Sequence, residues 1–295
     1  MSGTSNTSNT IYGSGEYRFQ VVPDWGRGPQ GVPAFGLVSM VSCDAQDRVY
    51  VFQREPEAVM FVFAPDGTLI ARWGEHFFKH PHGNWIAPDQ TLYLTDRDRH
   101  IVTQWTLDGE LLRTWGTPDQ PGAPGAPFNE PSRAIVAPNG DLYVSDGYGQ
   151  HRAHRFAADG TLLRSWGEQG AGPGQFGWPV HSVTWHPEGR VLIVDRANHR
   201  IQHFTPEGDY LSEWTGFDVP QDMFITPENV IYVVEGHPRV TLLTLDGEVI
   251  DRWGERGDGQ GQFKASPHAC WVDSQGSLYV GEVTTHNCFQ KFVRV

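Results

Sequence analysis

A tryptophan, followed in most cases by glycine, returns at regular intervals along the 295-residue chain. It occurs at Trp25, Trp73, Trp115, Trp166, Trp214 and Trp253. The intervals are about 40 to 50 residues, a period typical of repeat architectures in which each unit buries its apolar faces against its neighbours. Six copies of one unit must therefore pack side by side, and this requirement limits the fold more than any other feature of the sequence.

Each repeat contains short apolar strands separated by turn residues. Leu92–Leu94 matches Leu142–Val144 in the next repeat and Leu278–Val280 in the last one. The 34 glycines and 21 prolines supply many turns, which is typical of numerous short strands and unfavourable for long helices. The sequence predicts an all-β fold, a six-bladed β-propeller with four strands in each blade.

The two ends of the chain complement each other. The last repeat stops one strand short, whereas Tyr17 to Trp25 supplies an extra strand with its own Trp-Gly. We therefore predict that this N-terminal strand completes the last blade and closes the ring. Residues 17–295 are then a single propeller domain, and residues 1–16, which are mostly small and polar, are expected to form a flexible tail.

The charge of the chain favours a small molecule as its partner. A formal net charge of -13 without any basic run disfavours binding to nucleic acid or to an anionic membrane. The first 16 residues lack the features of a signal peptide, and no later segment has about 20 consecutive apolar residues. Cys43, Cys270 and Cys288 lack metal-type spacing and are expected to be buried free thiols. We therefore expect a cytoplasmic protein.

One alignment column alternates between histidine and other residues. The repeats align on the residue that ends the second strand of each, namely Gln53, Asp96, Asp146, Asp195, Glu235 and Glu282. Fourteen positions earlier the column reads Ser39, His82, Ser132, His181, Gln221 and His268. Because acids end the second strand in nearly every repeat, we expect them to form hydrogen bonds there rather than to take part in catalysis.

The three histidines of this column predict a metal site. The innermost strands of a propeller line its central channel, so equivalent residues of alternate blades point at one place on the axis. Three imidazoles, with a further position left for water or substrate, are a ligand set of catalytic zinc sites. We predict that His82, His181 and His268 bind Zn²⁺ or another divalent transition metal. Hydrogen bonding of the three rings to channel water is the alternative.

Several phrases of the chain resemble known families. The Trp-Gly repeats, together with Asp195–Phe204, are similar to NHL-repeat propellers. Pro81–Gly83, Asp146–Tyr148, Asp195–Asn198 and Pro267–His268 further resemble the peptidyl-α-hydroxyglycine α-amidating lyase family. This second likeness runs through all six repeats.

The resemblance to the lyase family implies a role for each matching residue. It assigns a zinc ion to the three histidines, the role of base to Tyr148, and substrate binding to Arg54 and Arg196. Tyr148, Arg54 and Arg196 each follow the end of a second strand by one or two positions, so we expect loops at one end of the channel to carry them. Guanidinium groups bind carboxylates through paired hydrogen bonds, and a phenol is a weak base unless cations stabilise its phenolate.

Each of these three residues also has a structural alternative. Arg54 is close in sequence to glutamates such as Glu57, with which it can form a surface ion pair. Arg196 has Arg97 in the same column, which favours a structural pairing shared by two blades. Tyr148 can pack over the channel mouth without exchanging a proton.

The resemblance implies a zinc-dependent lyase that cleaves the C–N bond of an N-acyl carbinolamine, R–CO–NH–CH(OH)–R′. The products are an amide and an aldehyde such as glyoxylate, and the substrate is a small molecule that carries a carboxylate or an amide. Two alternatives are a zinc-dependent hydrolase of a small ester, lactone or amide, and a non-catalytic NHL scaffold. The family also implies a structural calcium ion served by an aspartate directly after the third histidine. Ala269 occupies that position here, and the sequence therefore argues against a calcium site.

Other residues are candidates for the surroundings of the site. His76 and His80 precede the first histidine of the column and are candidates for the channel mouth. Seven aromatic residues suggest an apolar pocket, with core packing as the alternative: Phe77, Phe78, Trp85, Phe128, Trp178, Phe224 and Trp271.

Overall fold

The computed structural model describes residues 10–27, 35–284 and 289–295. Their strands form six antiparallel sheets, as the sequence predicts. The only helical segment among these residues is a short 3-10 turn, Arg196–Asn198. Within the same part of the chain, no helix has the length and apolar character needed to cross a bilayer. His286 and Cys288 lie outside the described residues.

The strands follow one another from the innermost to the outermost position of each blade. The chain starts with β1 (Ile11–Ser14) and β2 (Tyr17–Val22). Blade 1 contains β3 (Leu37–Cys43), β4 (Val49–Glu55), β5 (Val59–Phe63) and β6 (Leu69–Trp73). Blade 2 contains β7 (Pro81–Ile86), β8 (Thr91–Asp96), β9 (Ile101–Thr106) and β10 (Leu111–Trp115). Blade 3 contains β11 (Pro131–Val136), β12 (Leu142–Asp146), β13 (Arg152–Phe156) and β14 (Leu162–Trp166).

The second half of the ring repeats this order. Blade 4 contains β15 (Val180–His186), β16 (Arg190–Asp195), β17 (Arg200–Phe204) and β18 (Tyr210–Trp214). Blade 5 contains β19 (Pro220–Ile225), β20 (Ile231–Glu235), β21 (Arg239–Leu243) and β22 (Val249–Trp253). Blade 6 contains β23 (Pro267–Val272), β24 (Leu278–Glu282) and β25 (Phe289–Arg294). Each innermost strand contacts those of the two adjacent blades, and β23 contacts β3 to complete the circle.

The N-terminal strand closes the ring, and the prediction is confirmed on this point. β2 pairs with β25, with Val21 opposite Phe292, and so becomes the fourth strand of blade 6. The predicted boundary of the tail is wrong, however, because Ile11–Ser14 form β1, a fifth strand paired with β2. Residues 1–9 of the predicted tail lie outside the described residues.

The repeated tryptophans fasten each blade to the next one. A Cβ atom on Gly208, in the β17–β18 turn of blade 4, would lie 2.7 Å from Trp166 at the end of blade 3. The indole therefore lies directly on the glycine of the following blade. Blade 6 has the chain ends in place of this turn, and there Tyr12 of β1 packs against Trp253 with ring centroids 5.6 Å apart. β1 thus covers the one tryptophan that lacks a turn of the following blade, which explains why the strand forms.

The glycine after the tryptophan is required by backbone conformation and by space. Gly167 has a φ of 96°, in the left-handed region that side chains rarely adopt. A Cβ atom there would lie 2.4 Å from Phe176. The glycine of the Trp-Gly phrase therefore lies in the turn where the chain leaves the outermost strand and passes to the innermost strand of the next blade.

Every innermost strand carries a β-bulge at the alignment column. Its pairing with the second strand skips Ser39, Ser132, His181, Gln221 and His268 in five blades, and the pair His82 and Gly83 in blade 2. A bulged residue leaves the regular ladder, and its side chain and carbonyl group take new directions. The bulges thus free one residue in each blade to face the channel.

The residues that end the second strands hold the incoming loops, as predicted. Asp96 accepts a hydrogen bond from the backbone N–H of His80 at 3.0 Å, and Asp195 accepts one from Gly177 at 2.8 Å. The same type of bond is formed by Gln53, Asp146, Glu235 and Glu282. These bonds place the start of each innermost strand, and therefore the column residue that follows it.

Candidate metal centre

The three histidines of the column meet in the channel. His82, His181 and His268 are buried, and one ring nitrogen from each lies within 4.8 Å of the other two. The ring centroids are 4.7 to 5.0 Å apart. This cluster is the only group of three possible metal-binding side chains found within the described residues.

Backbone carbonyls of the intervening blades hold the three rings. The Nδ1 atoms of His82, His181 and His268 lie 2.7, 2.6 and 2.7 Å from backbone oxygens of the following blade. These oxygens belong to Ser132, Gln221 and Ser39, the other members of the same column. A carbonyl oxygen only accepts hydrogen bonds, so each Nδ1 carries the proton and each Nε2 presents a lone pair.

Burial keeps the three rings neutral. It lowers the pKa of His268 to about 3. Burial, reinforced by the neighbouring rings of the cluster, also holds the pKa values of His82 and His181 well below the ordinary value. Neutral imidazole is the form that binds a metal ion, and all three ligands are therefore in the required state at neutral pH.

The hydroxyl of Tyr148 lies between two of the rings. Its oxygen is 3.0 Å from the Nε2 atoms of both His82 and His181. The hydroxyl has one proton and can donate it to only one of these nitrogens at a time. At the other nitrogen two lone pairs face each other, and a cation between them would remove the conflict.

The donor set therefore fits a divalent transition metal. Three neutral imidazoles are suited to zinc and its neighbours in the first transition row, whereas Ca²⁺ and Mg²⁺ prefer oxygen ligands. Protein-bound zinc also requires partners that orient its histidines, a role that the three carbonyls fill here. His82, His181 and His268 would hold the ion.

Arg54 approaches the cluster from the end of β4. Its Nε donates a hydrogen bond to the carbonyl of Pro81, the residue before His82, at 3.2 Å. Among the described residues, its buried Nη2 has no hydrogen-bond partner. Burial lowers the pKa of this guanidinium to about 10, so it stays charged at neutral pH. The alternative of a pair with Glu57 is not realised, because Glu57 binds Arg72 instead.

Arg196 approaches from blade 4, at the start of the 3-10 turn. Its Nη1 donates to the side-chain oxygen of Gln221 at 3.3 Å. Its guanidinium carbon lies 5.9 Å from the ring centre of Tyr148 and 5.4 Å from that of Trp178. Trp178 is 53% exposed and donates its indole N–H to the backbone oxygen of Tyr148 at 2.8 Å. Trp178 and Arg196 thus hold the tyrosine from its outer side.

Arg97 is a third arginine at the site, and it was not assigned there from the sequence. The guanidinium of Arg97 lies 5.1 Å from the ring centre of Tyr148. Unlike Arg196, Arg97 binds a carboxylate, that of Asp98, at 2.8 Å. The two arginines therefore do not share one structural pairing, although both face Tyr148. Their common position after the second strand is the sequence signal that places Arg97 here.

The two candidates for the channel mouth, His76 and His80, are not members of the metal cluster. His80 lies beside Arg97, with 3.4 Å between its Nδ1 and Nη2 of the arginine. Burial, together with the charges of Arg54 and Arg97, lowers the pKa of His80 to about 3. His76 has a φ of 66° and belongs to a turn. His80 therefore lies next to the arginines as a neutral group.

Of the seven aromatic residues suggested for a pocket, only Trp178 contacts the site residues. Phe77 and Phe78 pack with Trp105, and Phe128 packs with Phe156. The remaining three, Trp85, Phe224 and Trp271, line a cavity of about 410 Å³ at the opposite end of the innermost strands. The seven aromatic residues therefore do not form one pocket at the site: packing, the alternative, accounts for Phe77, Phe78 and Phe128, and the three strand residues line a cavity away from the histidines.

Comparison with known proteins relates the chain to NHL-repeat proteins and to amidating lyases. It is 30% identical over 265 residues to NHL repeat-containing protein 3 of Homo sapiens, covering 83% of this chain and 76% of that protein. It is 33% identical over 160 residues to peptidyl-alpha-hydroxyglycine alpha-amidating lyase 1 of Drosophila melanogaster, covering 50% of this chain and 29% of that protein. No family model matches the chain.

Solved structures show the same fold at low sequence identity. A gluconolactonase from Xanthomonas campestris has a TM-score of 0.67 and 15% identity, with 95% of this chain and 90% of that one covered. At this identity the likeness supports the fold alone.

Proposed function

Because the chain belongs to the family of NHL repeat-containing proteins and carries a buried three-histidine centre, we propose that it is a zinc-dependent carbon–nitrogen lyase. The substrate class is an N-acyl carbinolamine, R–CO–NH–CH(OH)–R′, with a carboxylate as R′. The products are an amide and an aldehyde such as glyoxylate. The observation that carries the proposal is the position of Tyr148, whose hydroxyl lies 3.0 Å from two of the three metal-binding nitrogens.

When bound by the three histidines, zinc supplies Lewis acidity that makes the substrate hydroxyl more acidic. Tyr148 accepts the hydroxyl proton in its phenolate form and becomes a neutral phenol, since its oxygen contacts two rings of the cluster. As the O–H bond breaks, its electrons form the C=O bond of the aldehyde. The C–N bond then breaks with its electron pair on nitrogen, which takes up a proton to give the amide.

Guanidinium groups prepare Tyr148 for this role. Arg97 and Arg196 lie over its ring at 5.1 and 5.9 Å, where their positive charges stabilise a phenolate. Trp178 holds the backbone of Tyr148, so the hydroxyl stays directed at the cluster. The tyrosine is therefore positioned from its main chain, its ring and its hydroxyl group.

Arg54 is the residue proposed to bind the substrate carboxylate. It brings a buried positive charge, and its Nη2 has no partner among the residues that the structure describes. A carboxylate at this position would accept a charge-assisted hydrogen bond. Arg196, which donates to the neutral side chain of Gln221, is the second residue proposed to orient it.

A small-molecule partner and a cytoplasmic location belong to the same proposal. Two cysteines, Cys43 and Cys270, are buried free thiols, as expected for a reducing compartment. Burial raises the pKa of both thiols well above the ordinary value, which keeps them protonated and unreactive.

Product analysis in oxygen-18 water tests the proposal. Zinc-loaded protein is incubated with an N-acyl-α-hydroxyglycine, and amide and glyoxylate are measured against the spontaneous decay of the substrate. A lyase releases R–CO–NH₂ without label in the amide. A hydrolase that attacks the acyl group releases R–COOH with one labelled oxygen, and that product would contradict the proposal. Protein stripped of metal by a chelator serves as the control, and equal turnover without metal would contradict it as well.

A further inference from the structure

A fully buried ion pair crosses the channel one residue beyond the histidine column. Arg133 is 1% exposed and Asp222 is 0% exposed. Nη1 of Arg133 lies 2.5 Å from Oδ1 of Asp222, which joins blade 3 to blade 5. Such a pair is costly to bury, and Nε of Arg133 is itself buried without a hydrogen-bond partner among the described residues.

The surroundings of the pair come from several blades. Nη1 of Arg133 also contacts the sulfur of Met40 in blade 1 at 3.2 Å. Asp222 accepts hydrogen bonds from the Ser182 hydroxyl of blade 4 at 2.8 Å and from the backbone N–H of Cys270 in blade 6 at 3.3 Å. Five of the six blades therefore meet at this one pair.

Three members of this network directly follow the carbonyls that hold the imidazoles. Met40 follows Ser39, Arg133 follows Ser132, and Asp222 follows Gln221. Those carbonyls accept the Nδ1 protons of His268, His82 and His181 respectively. Contacts among the side chains of Met40, Arg133 and Asp222 thus link the three backbone segments whose carbonyls hold the imidazoles.

The same layer does not fit the calcium ion that the resemblance to the lyase family implies. Ala269, the residue after the third histidine, offers a methyl group in place of a carboxylate and is buried. Arg133 already brings a positive charge into this layer and binds the carboxylate of Asp222 there. A divalent cation would meet both charge repulsion and a lack of free oxygen ligands.

We propose that the Arg133–Asp222 pair is a built-in substitute for a channel cation that positions the three carbonyls and, through them, the metal-binding imidazoles. Arg133 and Asp222 are positioning residues, since they act through Ser132, Gln221 and their neighbours. The inference rests on the metal site of the proposed function. Metal binding and stability test it, however, so its failure can be told apart from failure of the lyase assignment.

The first experiment removes both charges and keeps the shape. The double variant Arg133→Met/Asp222→Asn avoids a lone buried charge; its single amide oxygen can accept from the backbone N–H of Cys270, and its NH₂ group can donate to the Ser182 hydroxyl. Its matched control is Arg155→Met/Asp141→Asn, which removes another ion pair of blade 3, with 2.6 Å between Nη2 and Oδ2, away from the column. Zinc affinity is measured by competition with a chromophoric chelator, and the geometry of the site by the visible absorption of the Co²⁺-loaded protein.

The proposal predicts that the double variant binds zinc about tenfold more weakly and has an altered Co²⁺ spectrum. The control variant should keep both properties of the unmodified protein, even if its thermal midpoint falls. A folded double variant with unchanged zinc affinity and an unchanged Co²⁺ spectrum would overturn the proposal. If the unmodified protein itself binds neither metal, the proposed function fails first.

The second experiment needs no variant. Millimolar Ca²⁺, or its removal with a calcium-selective chelator, should leave the thermal midpoint of the unmodified protein unchanged, because Arg133 already supplies the positive charge. A clear rise of the midpoint with Ca²⁺ would contradict the substitution. The Ca²⁺ measurement on the unmodified protein tests the replacement of the cation even if the double variant does not fold.

Discussion

Even-numbered and odd-numbered blades use the same bulge for two different tasks. In blades 2, 4 and 6 the bulged residue is a histidine whose ring points to the axis. In blades 1, 3 and 5 it is Ser39, Ser132 or Gln221, whose backbone carbonyl accepts the Nδ1 proton of the preceding blade's histidine. One backbone feature therefore supplies either the ligand or the group that orients the ligand.

This comparison shows which half of the site depends on side-chain identity. The even blades contribute through imidazole, and replacing the side chain removes the function. The odd blades contribute through a carbonyl that every residue type has, and replacing the side chain leaves it in place. Mutations at equivalent positions should therefore have very different effects in adjacent blades.

The largest difference is expected between His268 and Ser39, which are hydrogen-bonded to each other across the ring closure. His268→Ala removes one of the three proposed ligands and should abolish the one zinc ion per chain that the proposal expects of the unmodified protein. Turnover should fall by about a thousandfold or more, because the Lewis acid is worth several kcal/mol. Elemental analysis and product formation measure the two effects.

Ser39→Ala is the control for that change. It removes one hydrogen bond, from the serine hydroxyl to the backbone oxygen of Phe52 at 2.9 Å, and keeps the carbonyl that His268 needs. We expect full zinc content and turnover within about threefold. Loss of zinc in this variant would contradict the assignment of carbonyl and ligand to different blades.

The next largest effect is expected for Tyr148→Phe. This odd-blade residue does chemistry in the proposal and does not hold the metal. Zinc content should remain unchanged, and turnover should fall by about 10²- to 10⁴-fold, the contribution typical of general base catalysis. Metal analysis and single-turnover measurements on the same preparation separate the two. An active Tyr148→Phe protein would exclude the tyrosine as the base.

A smaller effect is expected for Arg54→Met, which removes the proposed carboxylate ligand of blade 1. KM should rise about 10- to 100-fold, as is typical for a lost charge-assisted hydrogen bond, while zinc content stays the same. Arg72→Met is a suitable control, because Arg72 forms surface ion pairs with Glu57 and Glu75. Equal KM values for the two variants would show that Arg54 does not bind the substrate.

The smallest effect is expected for Gln221→Ala. The change keeps the carbonyl that accepts from His181 and removes the side-chain oxygen that accepts from Arg196 at 3.3 Å. KM should rise about two- to tenfold, the range of one modest hydrogen bond, with zinc content unaltered. A loss of metal here would mean that the odd-blade side chain, and not only its carbonyl, supports the site.

Much of the fold follows from the sequence because the repeat is strong. The Trp-Gly phrase appears in five of the six units, with Thr215 after Trp214 as the exception, and Gly167 allows the left-handed turn and the close contact with a phenylalanine of the following loop. Six such units and an extra N-terminal strand determine both the blade number and the closure by β2. β1 escaped prediction because its contact with Trp253 joins positions far apart in the chain.

The identity of the three clustered histidines also follows from the sequence, because alternation of histidine in one column is a one-dimensional pattern. The sequence by itself thus determined six blades, three converging imidazoles and the end of the channel at which Tyr148, Arg54 and Arg196 lie, although Arg54 belongs to strand β4 and not to a loop as predicted. Only the tertiary structure decided how these groups act. The bulges, the carbonyls that leave Nε2 free, the approach of Arg97 and the Arg133–Asp222 pair all depend on contacts between different blades. Such contacts depend on where the closed ring places separate segments, and no local pattern of residues records that placement.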